Sequence, residues 1–305
     1  MREKEEKHMS TNLSGNTYVF CKSFQHNEKQ RLAFDHLAQK TFGGLSFESW
    51  YKQGYWNDGC VPYALFDGDK VVSGLLATHF NFTIKGEQKR YVQLGTVMTD
   101  SAYRKQGLSR IIMEKVLEDC QGSCDGVFLL ANDSVLDFYP KFGFIAESEY
   151  RFSTPISPKT GRVEKLDMKN SAHKALLVDK IKHSNPYSLI RMTDSSGIPM
   201  FHCTMFLSDC IYYLPDYDAV AVAEHEGGTL LLMDVFCDGN QPLADIISIL
   251  AQPDTTRATL GFTPEDTHGF TVSLSQEENT TLFVLKGKDN LFSKHQAMFP
   301  LLCRT

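Results

Sequence analysis

The sequence lacks the features of several classes of protein. Its 305 residues contain no apolar run that approaches the length of a membrane span. Its first residues, MREKEEKHMSTNLSGN, have no apolar core of the kind found in signal peptides. We therefore expect a cytoplasmic protein with a disordered leader over residues 1–16. The net charge is −6, whereas a general binder of nucleic acid or of anionic membranes would be basic. Neither is predicted as a partner, and the oligomeric state is left open.

Cysteine is present, but not in a pattern typical of metal or disulfide sites. The eight cysteines include no C-x-x-C pair and have no nearby histidine at ligand spacing. This distribution predicts reduced, mostly buried thiols and no metal cofactor. Cys120 and Cys124 are close enough in sequence to form a redox or metal pair, and this alternative stays open.

The length of 305 residues is enough for two domains, each with its own core. After Tyr150 the segment STPISPKTGR brings together two prolines, a glycine and several hydroxyl groups, a composition typical of loops. We place a linker at residues 153–164, between a first domain at 17–152 and a second at 165–305. The first domain alternates strand-like and helix-like patterns, which predicts a mixed α/β (α+β) sheet.

The stretch YRKQGLSRIIMEKV, which begins at Tyr103, changes in its middle from polar residues and a glycine to an apolar helical pattern. Upstream of it, YVQLGTVMTD has the β-branched and apolar residues of a strand. Downstream, Leu108, Ile112 and Val116 recur at helical spacing, so Gly107 should stand near a helix N-terminus. Such a terminus offers unpaired N–H groups, and a glycine there leaves room for a phosphate. The pattern predicts an anion-binding cradle with basic neighbours, and the alternative is an ordinary solvated turn.

A second stretch, GVFLLANDSVLDFYPKFGF at residues 126–144, begins with six residues typical of a buried strand. Asn132 and Asp133 are then favoured caps for a helix. Pro140 within the pattern and Gly143 beyond it should keep that helix short.

In this order, the two stretches resemble the acetyl-CoA site of the GCN5-related N-acetyltransferases over about residues 17–152. That family has Arg/Gln-x-x-Gly-x-Gly/Ala after a strand, and later an Asn followed by Tyr-x-Lys-x-Gly-Phe. The matching residues here are Arg104-Lys105-Gln106-Gly107-Leu108-Ser109, then Asn132, and then Tyr139-Pro140-Lys141-Phe142-Gly143-Phe144. Ser109 stands where the family has Gly or Ala. Two such motifs, each on its expected junction, are more specific than either alone.

The resemblance implies acetyl-CoA as co-substrate and assigns site residues. The strand before the cradle would bind the pantetheine arm and supply a backbone N–H to the thioester oxygen. Tyr139 would protonate the coenzyme thiolate, unless it is only a packed aromatic. Asn132 would bind the pantetheine chain, a role that is compatible with helix capping. The predicted coenzyme-binding residues are Val97, Met98, Thr99, Arg104, Lys105, Gln106, Gly107, Leu108, Ser109, Arg110 and Asn132.

The acceptor side is less defined. The segment that resembles the family's acceptor-lining helices is rich in aromatic residues, which suits an amine with an apolar or cationic body, although core packing explains the same pattern. The residues predicted to bind the acceptor are Trp50, Tyr51, Tyr55 and Trp56. Candidates for the general base are Glu48, Asp58, Asp100, His79 and an ordered water.

We therefore expect an N-acetyltransferase that acts on a primary amine, most simply that of a small molecule. The alternatives are a non-catalytic CoA-binding or sensing protein, and a protein N-terminal or lysine acetyltransferase. In the second half, the order of strands, helix and strand is similar to that in the first half. The equivalent strand–helix junction, DVFCDGNQPLADIISIL, has no Arg-x-x-Gly loop. This half is either a degenerate acetyltransferase-like repeat or an unrelated α+β domain.

Overall fold

The computed structural model describes residues 9–13, 16–193, 197–239 and 241–305, with the backbone alone for 9–13. Much of the predicted leader, residues 1–8, 14 and 15, lies outside these ranges. Met9–Leu13, by contrast, form a strand that pairs with the next one, which differs from the predicted disorder.

The first part of the chain contains eight strands and three helices among the described residues. The helix predicted after Gly107 is present. The elements are β1 (Met9–Leu13), β2 (Asn16–Lys22), α1 (Glu28–Thr41), α2 (Glu48–Lys52), β3 (Cys60–Asp67), β4 (Lys70–Ile84), β5 (Glu87–Thr99), α3 (Leu108–Cys120), β6 (Gly126–Ala131), β7 (Phe144–Glu147) and β8 (Tyr150–Pro155).

The second part has the same mixture of strands and helices. Its elements are β9 (Glu164–Lys165), α4 (Ser171–Ile181), β10 (Ile190–Thr193), α5 (Gly197–Met205), β11 (Ile211–Leu214), β12 (Ala219–Glu226), β13 (Thr229–Phe236), α6 (Leu243–Leu250), β14 (Arg257–Leu260), β15 (Thr271–Leu274) and β16 (Thr281–Leu285).

Two mixed sheets form the frame of the molecule, as the predicted fold class requires. The first has the order β1, β2, β3, β4, β5, β6, β16, β7, with β10 pairing on β4. The second has the order β15, β8, β14, β13, β12, β11, β9. In each sheet one parallel pair, β5 with β6 and β13 with β14, is connected through a helix. A parallel pair requires such a crossover, so α3 and α6 occupy equivalent positions.

The two sheets exchange one strand each. β8 follows β7 closely in the chain but lies in the second sheet, between β14 and β15. β16 follows β15 and lies in the first sheet, between β6 and β7. The second part therefore repeats the topology of the first, as the predicted repeat requires. The domain boundaries at 152 and 165 stay a prediction, because each sheet contains residues from both sides of them.

Helices cover both faces of the first sheet. On one face Phe34 of α1 and Trp50 of α2 are buried with Phe80 and Phe82 of β4. On the other face the apolar side of α3 packs on the sheet, as its spacing predicted. Burial of this apolar side fixes α3 across the sheet, with its N-terminus at the end of β5. The junction between β5 and α3 is thereby held in place.

Candidate active site

The connection from β5 to α3 has the backbone expected of an anion cradle. Gly107 is the N-cap residue of α3 with a φ of +82°, and no side chain caps the helix start. Lys105, in the same loop, also has a positive φ, of +63°. The first-turn N–H groups of α3 are therefore left without a side-chain partner, and no Cβ projects from Gly107. This arrangement fits the diphosphate of a coenzyme.

A buried carboxylate fixes the start of this loop. Asp100 is 2% exposed and accepts hydrogen bonds from the N–H of Ala102 at 3.0 Å, from Lys70 at 2.8 Å and from Lys40 at 3.1 Å. The hydrogen bond from Lys70 is the largest cause that holds the pKa of this carboxyl well below its usual range. Such a carboxylate is a weak base. Its geometry gives it a structural role at the end of β5.

β5 separates from β6 where the thioester was predicted to bind. The two strands pair from Tyr91 to Gln93 and no further. Just beyond, Gly95 pairs with Leu76 of β4 and Met98 pairs with Gly74, so that two residues of β5 lie opposite one of β4. This is a β-bulge, which breaks the regular ladder and turns the strand.

A cleft of about 930 Å³ opens between the separated strands. Among the predicted coenzyme-binding residues, Val97, Met98, Thr99, Arg104, Ser109 and Asn132 line it, together with Tyr139. Leu45 from the loop after α1, Leu130 of β6 and Thr305 add further walls. The cleft thus brings together the two motifs, the first ending at Ser109 and the second beginning at Asn132.

The other predicted coenzyme-binding residues surround the cradle without forming the cleft wall. Leu108 is 1% exposed, so only its backbone is available to a ligand. Gln106 accepts a hydrogen bond from the Tyr18 hydroxyl at 3.0 Å. The guanidinium of Arg110 lies 5.5 Å from the centre of the Phe142 ring. Lys105 and Gly107 are exposed in the loop.

Tyr139 lies in a 3₁₀ turn, Tyr139–Phe142, at the edge of the cleft. The structure forms two such turns where the sequence predicted one short helix. The Tyr139 ring is packed between Phe138, Phe144 and Phe283, the last of which belongs to the exchanged strand β16. Burial raises the pKa of Tyr139 to about 12. Its hydroxyl therefore remains protonated at neutral pH and is available as a proton donor.

Asn132 stands at the end of β6 and lines the cleft. Its side-chain oxygen accepts a hydrogen bond from the N–H of Ser134 at 3.1 Å. The predicted capping role is thus confirmed, for a 3₁₀ turn, and the contact with pantetheine stays a prediction.

The predicted acceptor-binding aromatics lie outside this cleft. Trp50 and Trp56 are 1% and 2% exposed and stack with centroids 5.3 Å apart. Each indole N–H donates to a backbone carbonyl at 2.8 Å, Trp50 to Gly197 and Trp56 to Cys60. Core packing explains both tryptophans. Tyr51 and Tyr55 are only partly buried, and Tyr51 borders a separate open depression with His26, Trp56 and Asp58.

None of the predicted base candidates lines the cleft within the described ranges. Glu48 is paired with Arg31 at 2.7 Å. His79 lies opposite Val92 in β4, and desolvation lowers its pKa. Asp58 lies in the open depression beside Trp56. An ordered water, the fifth candidate, stays a prediction.

The C-terminal residues belong to the site, and no sequence motif indicated this. A Cβ on Gly95 would lie 2.3 Å from the Thr305 hydroxyl oxygen, so only glycine accommodates this approach. Arg304 anchors the segment through an ion pair with Glu149 at 3.1 Å, and both side chains are buried. His202 donates from Nε2 to the Arg304 carbonyl at 2.7 Å. Contacts between distant segments thus build this wall of the cleft.

A metal site and a membrane-spanning helix are not seen in the described part of the chain. It contains no group of three or more His, Cys, Asp or Glu side chains that could hold a metal ion. Its helices include none whose length and hydropathy would allow it to cross a bilayer.

Comparison with known proteins gives a family for the first part of the chain. Residues 14–146 match the family model described as acetyltransferase (GNAT) domain. No curated protein matches the chain.

Several solved structures share the fold of most of the chain. A probable N-acyltransferase from Enterococcus faecalis V583 is 14% identical with a TM-score of 0.56, covering 88% of this chain and 72% of its own. Eis1 from Mycobacterium abscessus is 15% identical with a TM-score of 0.52, covering 83% and 70%. A GCN5-related N-acetyltransferase from Anabaena variabilis is 13% identical with a TM-score of 0.52, covering 87% and 72%.

At these identities the solved structures support the two-sheet fold alone. The family model and the two motifs support an acetyltransferase domain in the first part of the chain. The cradle, the separated strands and the tyrosine lie in one cleft within the matched residues. Residues 14–146 thus form an acetyltransferase (GNAT) domain.

Proposed function

We propose that this protein transfers an acetyl group from acetyl-CoA to a primary amine of a small molecule. The observation that supports it best is the shared cleft, in which a protonated, buried Tyr139 lies with the bulged part of β5 and the loop before α3. The net charge of −6 favours a cationic acceptor over an anionic one.

Each part of the cleft has a role in this proposal. The N–H groups at the start of α3, with Arg104, would hold the coenzyme diphosphate. The backbone of residues 97–99 would bind the pantetheine arm, and one of its N–H groups would stabilise the thioester oxygen as it becomes negative. Acetyl-CoA supplies the activated acyl carbon. Tyr139 would donate its proton to the sulfur as the carbon–sulfur bond breaks, and water would restore that proton.

The test uses the full chain with acetyl-CoA and a panel of amines, including polyamines, aminoglycosides and aromatic amines. Thiol release should depend on one or more amines, and mass spectrometry should show a product heavier by one acetyl group. Calorimetry on the same preparation measures CoA binding. Binding without transfer to any amine would favour the non-catalytic alternative, and transfer to peptides alone would favour a protein acetyltransferase. Absence of CoA binding would contradict the site itself.

A further inference from the structure

Thr96 has a backbone conformation that its side chain disfavours. Its φ is +52°, in the left-handed region where glycine and asparagine are common and a β-branched residue is a clear outlier. The conformation is imposed by its neighbours, since Gly95 and Met98 on either side are paired with β4. A glycine at this position would satisfy the same bulge with less strain. The threonine side chain is therefore retained at a cost in local stability, which points to a function.

The Thr96 hydroxyl is free to bind a ligand. Thr96 is half-buried and lines the cleft, and its hydroxyl has no hydrogen bond to any residue that the structure describes. Several other hydroxyl groups of the cleft are engaged within the protein. The Thr41 hydroxyl donates to the Leu37 carbonyl at 2.8 Å, and that of Thr99 lies 2.9 Å from the Ser73 hydroxyl.

The Ser134 hydroxyl donates to the side-chain oxygen of Asn132, and the position of Thr96 distinguishes it from the hydroxyl groups of Ser109 and Thr305. Ser109 lies at the cradle, where the coenzyme diphosphate is expected. The Thr305 hydroxyl is buried against Gly95 and is closed to a ligand. Thr96 alone among these three stands in the bulge, where β5 has left β6 and where the thioester carbonyl is expected.

We propose that Thr96 is a substrate-binding residue whose hydroxyl accepts a hydrogen bond from the attacking amine of the acceptor. The inference rests on the proposed function. In the transfer, a nitrogen–carbon bond forms and the carbon–sulfur bond breaks, the sulfur takes a proton from Tyr139, and the nitrogen loses one to water. A neutral primary amine uses its one lone pair to attack the carbonyl carbon, and its N–H bonds remain available as hydrogen-bond donors. A hydroxyl that holds one N–H fixes the direction of the lone pair.

Three variants separate the hydroxyl from the shape and from the backbone. Thr96→Val keeps the β-branched shape and removes the hydroxyl, and kcat/KM for the amine should fall about tenfold. Thr96→Ser keeps the hydroxyl and should stay within about threefold of wild type. Thr96→Gly should lower kcat/KM about as much as Thr96→Val, while its Tm stays equal to wild type or rises. The Kd for CoA, measured by calorimetry, should stay within about twofold throughout, because the coenzyme groove is unchanged.

Four outcomes would overturn the inference. Wild-type kcat/KM in Thr96→Val would show that the hydroxyl is not used. A lower kcat/KM in Thr96→Ser together with a wild-type kcat/KM in Thr96→Val would assign the role to the methyl group. A Tm several degrees lower in Thr96→Gly would show that the side chain is kept for stability. Loss of CoA affinity in Thr96→Val would assign the bulge to the coenzyme. If wild type binds CoA but acetylates no amine, the proposed function is wrong and this inference with it; a fully active Thr96→Val beside an active wild type contradicts the inference alone.

Discussion

The two parallel strand–helix junctions of this protein have the same topology and different contents. In the first, β5 separates from β6 beside a bulge, and a cleft opens there. In the second, β13 and β14 pair as far as Leu232 and Leu260, and β13 has its own irregularity at Met233. The space beside that irregularity is taken by the C-terminal segment. Leu301 donates its N–H to the Gly261 carbonyl at 2.8 Å, and Leu302 is 1% exposed in the cluster that contains Met233.

The loops differ as much as the grooves. Gly107 starts α3 in the left-handed region with no side-chain cap, whereas Pro242 precedes α6 with φ at −62°. A proline cannot donate a backbone N–H, and the second loop has no Arg-x-x-Gly pattern. The comparison shows that the sheet topology provides a possible groove, and that the loop and the neighbouring chain decide whether the groove can bind a ligand.

The largest expected effect concerns Tyr139, which lines the cleft of the first junction. Tyr139→Phe keeps the packing with Phe144 and Phe283 and removes the proton donor. Turnover should fall by about 10²–10⁴-fold with the Kd for CoA almost unchanged. Steady-state kinetics with an active amine, together with calorimetry, tests this. Because the pKa of Tyr139 is raised to about 12, wild-type kcat should not decline through loss of this proton below about pH 10.

Two results would contradict that role. Wild-type turnover in Tyr139→Phe, under conditions where chemistry limits the rate, would show that Tyr139 is not the general acid. A large fall in Tm would show that the hydroxyl stabilises the fold.

The next effect concerns the segment that fills the second groove and borders the first. Arg304→Ala would leave the buried Glu149 carboxylate without its 3.1 Å partner. The free energy of unfolding should fall by about 3 kcal/mol, as for other buried pairs that lose one member. Chemical denaturation measures it. Arg162→Ala, which breaks the exposed pair with Asp216, is the control and should change stability little. Equal effects of the two substitutions would show that the C-terminal segment is not anchored in this way.

Gly107→Val tests the loop of the first junction. The branched side chain should block the approach of the diphosphate and weaken CoA binding by about tenfold or more, as measured by calorimetry. Gly86→Val is a matched control, since Gly86 has the same φ of +82° and open space around it. Both variants carry similar backbone strain, and only the first should lose affinity. Similar CoA affinity in the two would contradict the cradle.

The smallest effect concerns Asp100, which holds the end of β5. Asp100→Asn should lower the free energy of unfolding at pH 7 by about 1 kcal/mol, because its lysine partners are half exposed and solvent screens them. The pKa of this carboxyl is lower in the folded state, so its contribution is fully present above the unfolded pKa near 4 and is lost progressively as the pH falls from there through the lower folded pKa. Urea denaturation should therefore show a larger difference between the variant and wild type at pH 7 than at pH 3. An equal difference at the two pH values would assign the effect to shape.

Much of the local structure could be predicted from the sequence. α3 begins at Leu108 and the buried strand β6 ends at Ala131, as the patterns indicated. These elements depend on residues within one or two turns or along one strand, whose spacing the sequence shows directly. The aromatic segment was predicted less well, because helical spacing alone cannot distinguish a core face from a ligand wall. Trp50 is in the core because α5 covers it, and α5 was not predicted.

By itself the sequence determined the junction of strand, glycine loop and helix at Gly107, the register of the tyrosine motif and the mixed strand and helix content of residues 17–152. Three features were decided only by the tertiary structure. β8 and β16 are exchanged between the two sheets, Phe283 packs against Tyr139, and Thr305 contacts Gly95. The physical reason is the range of the interactions. Caps, turns and periodic burial are set by neighbours in the chain, whereas pairing between β6 and β16 joins residues about 150 positions apart. Such pairing is chosen by the whole folded chain, from complementary edges and buried surfaces that no local pattern contains.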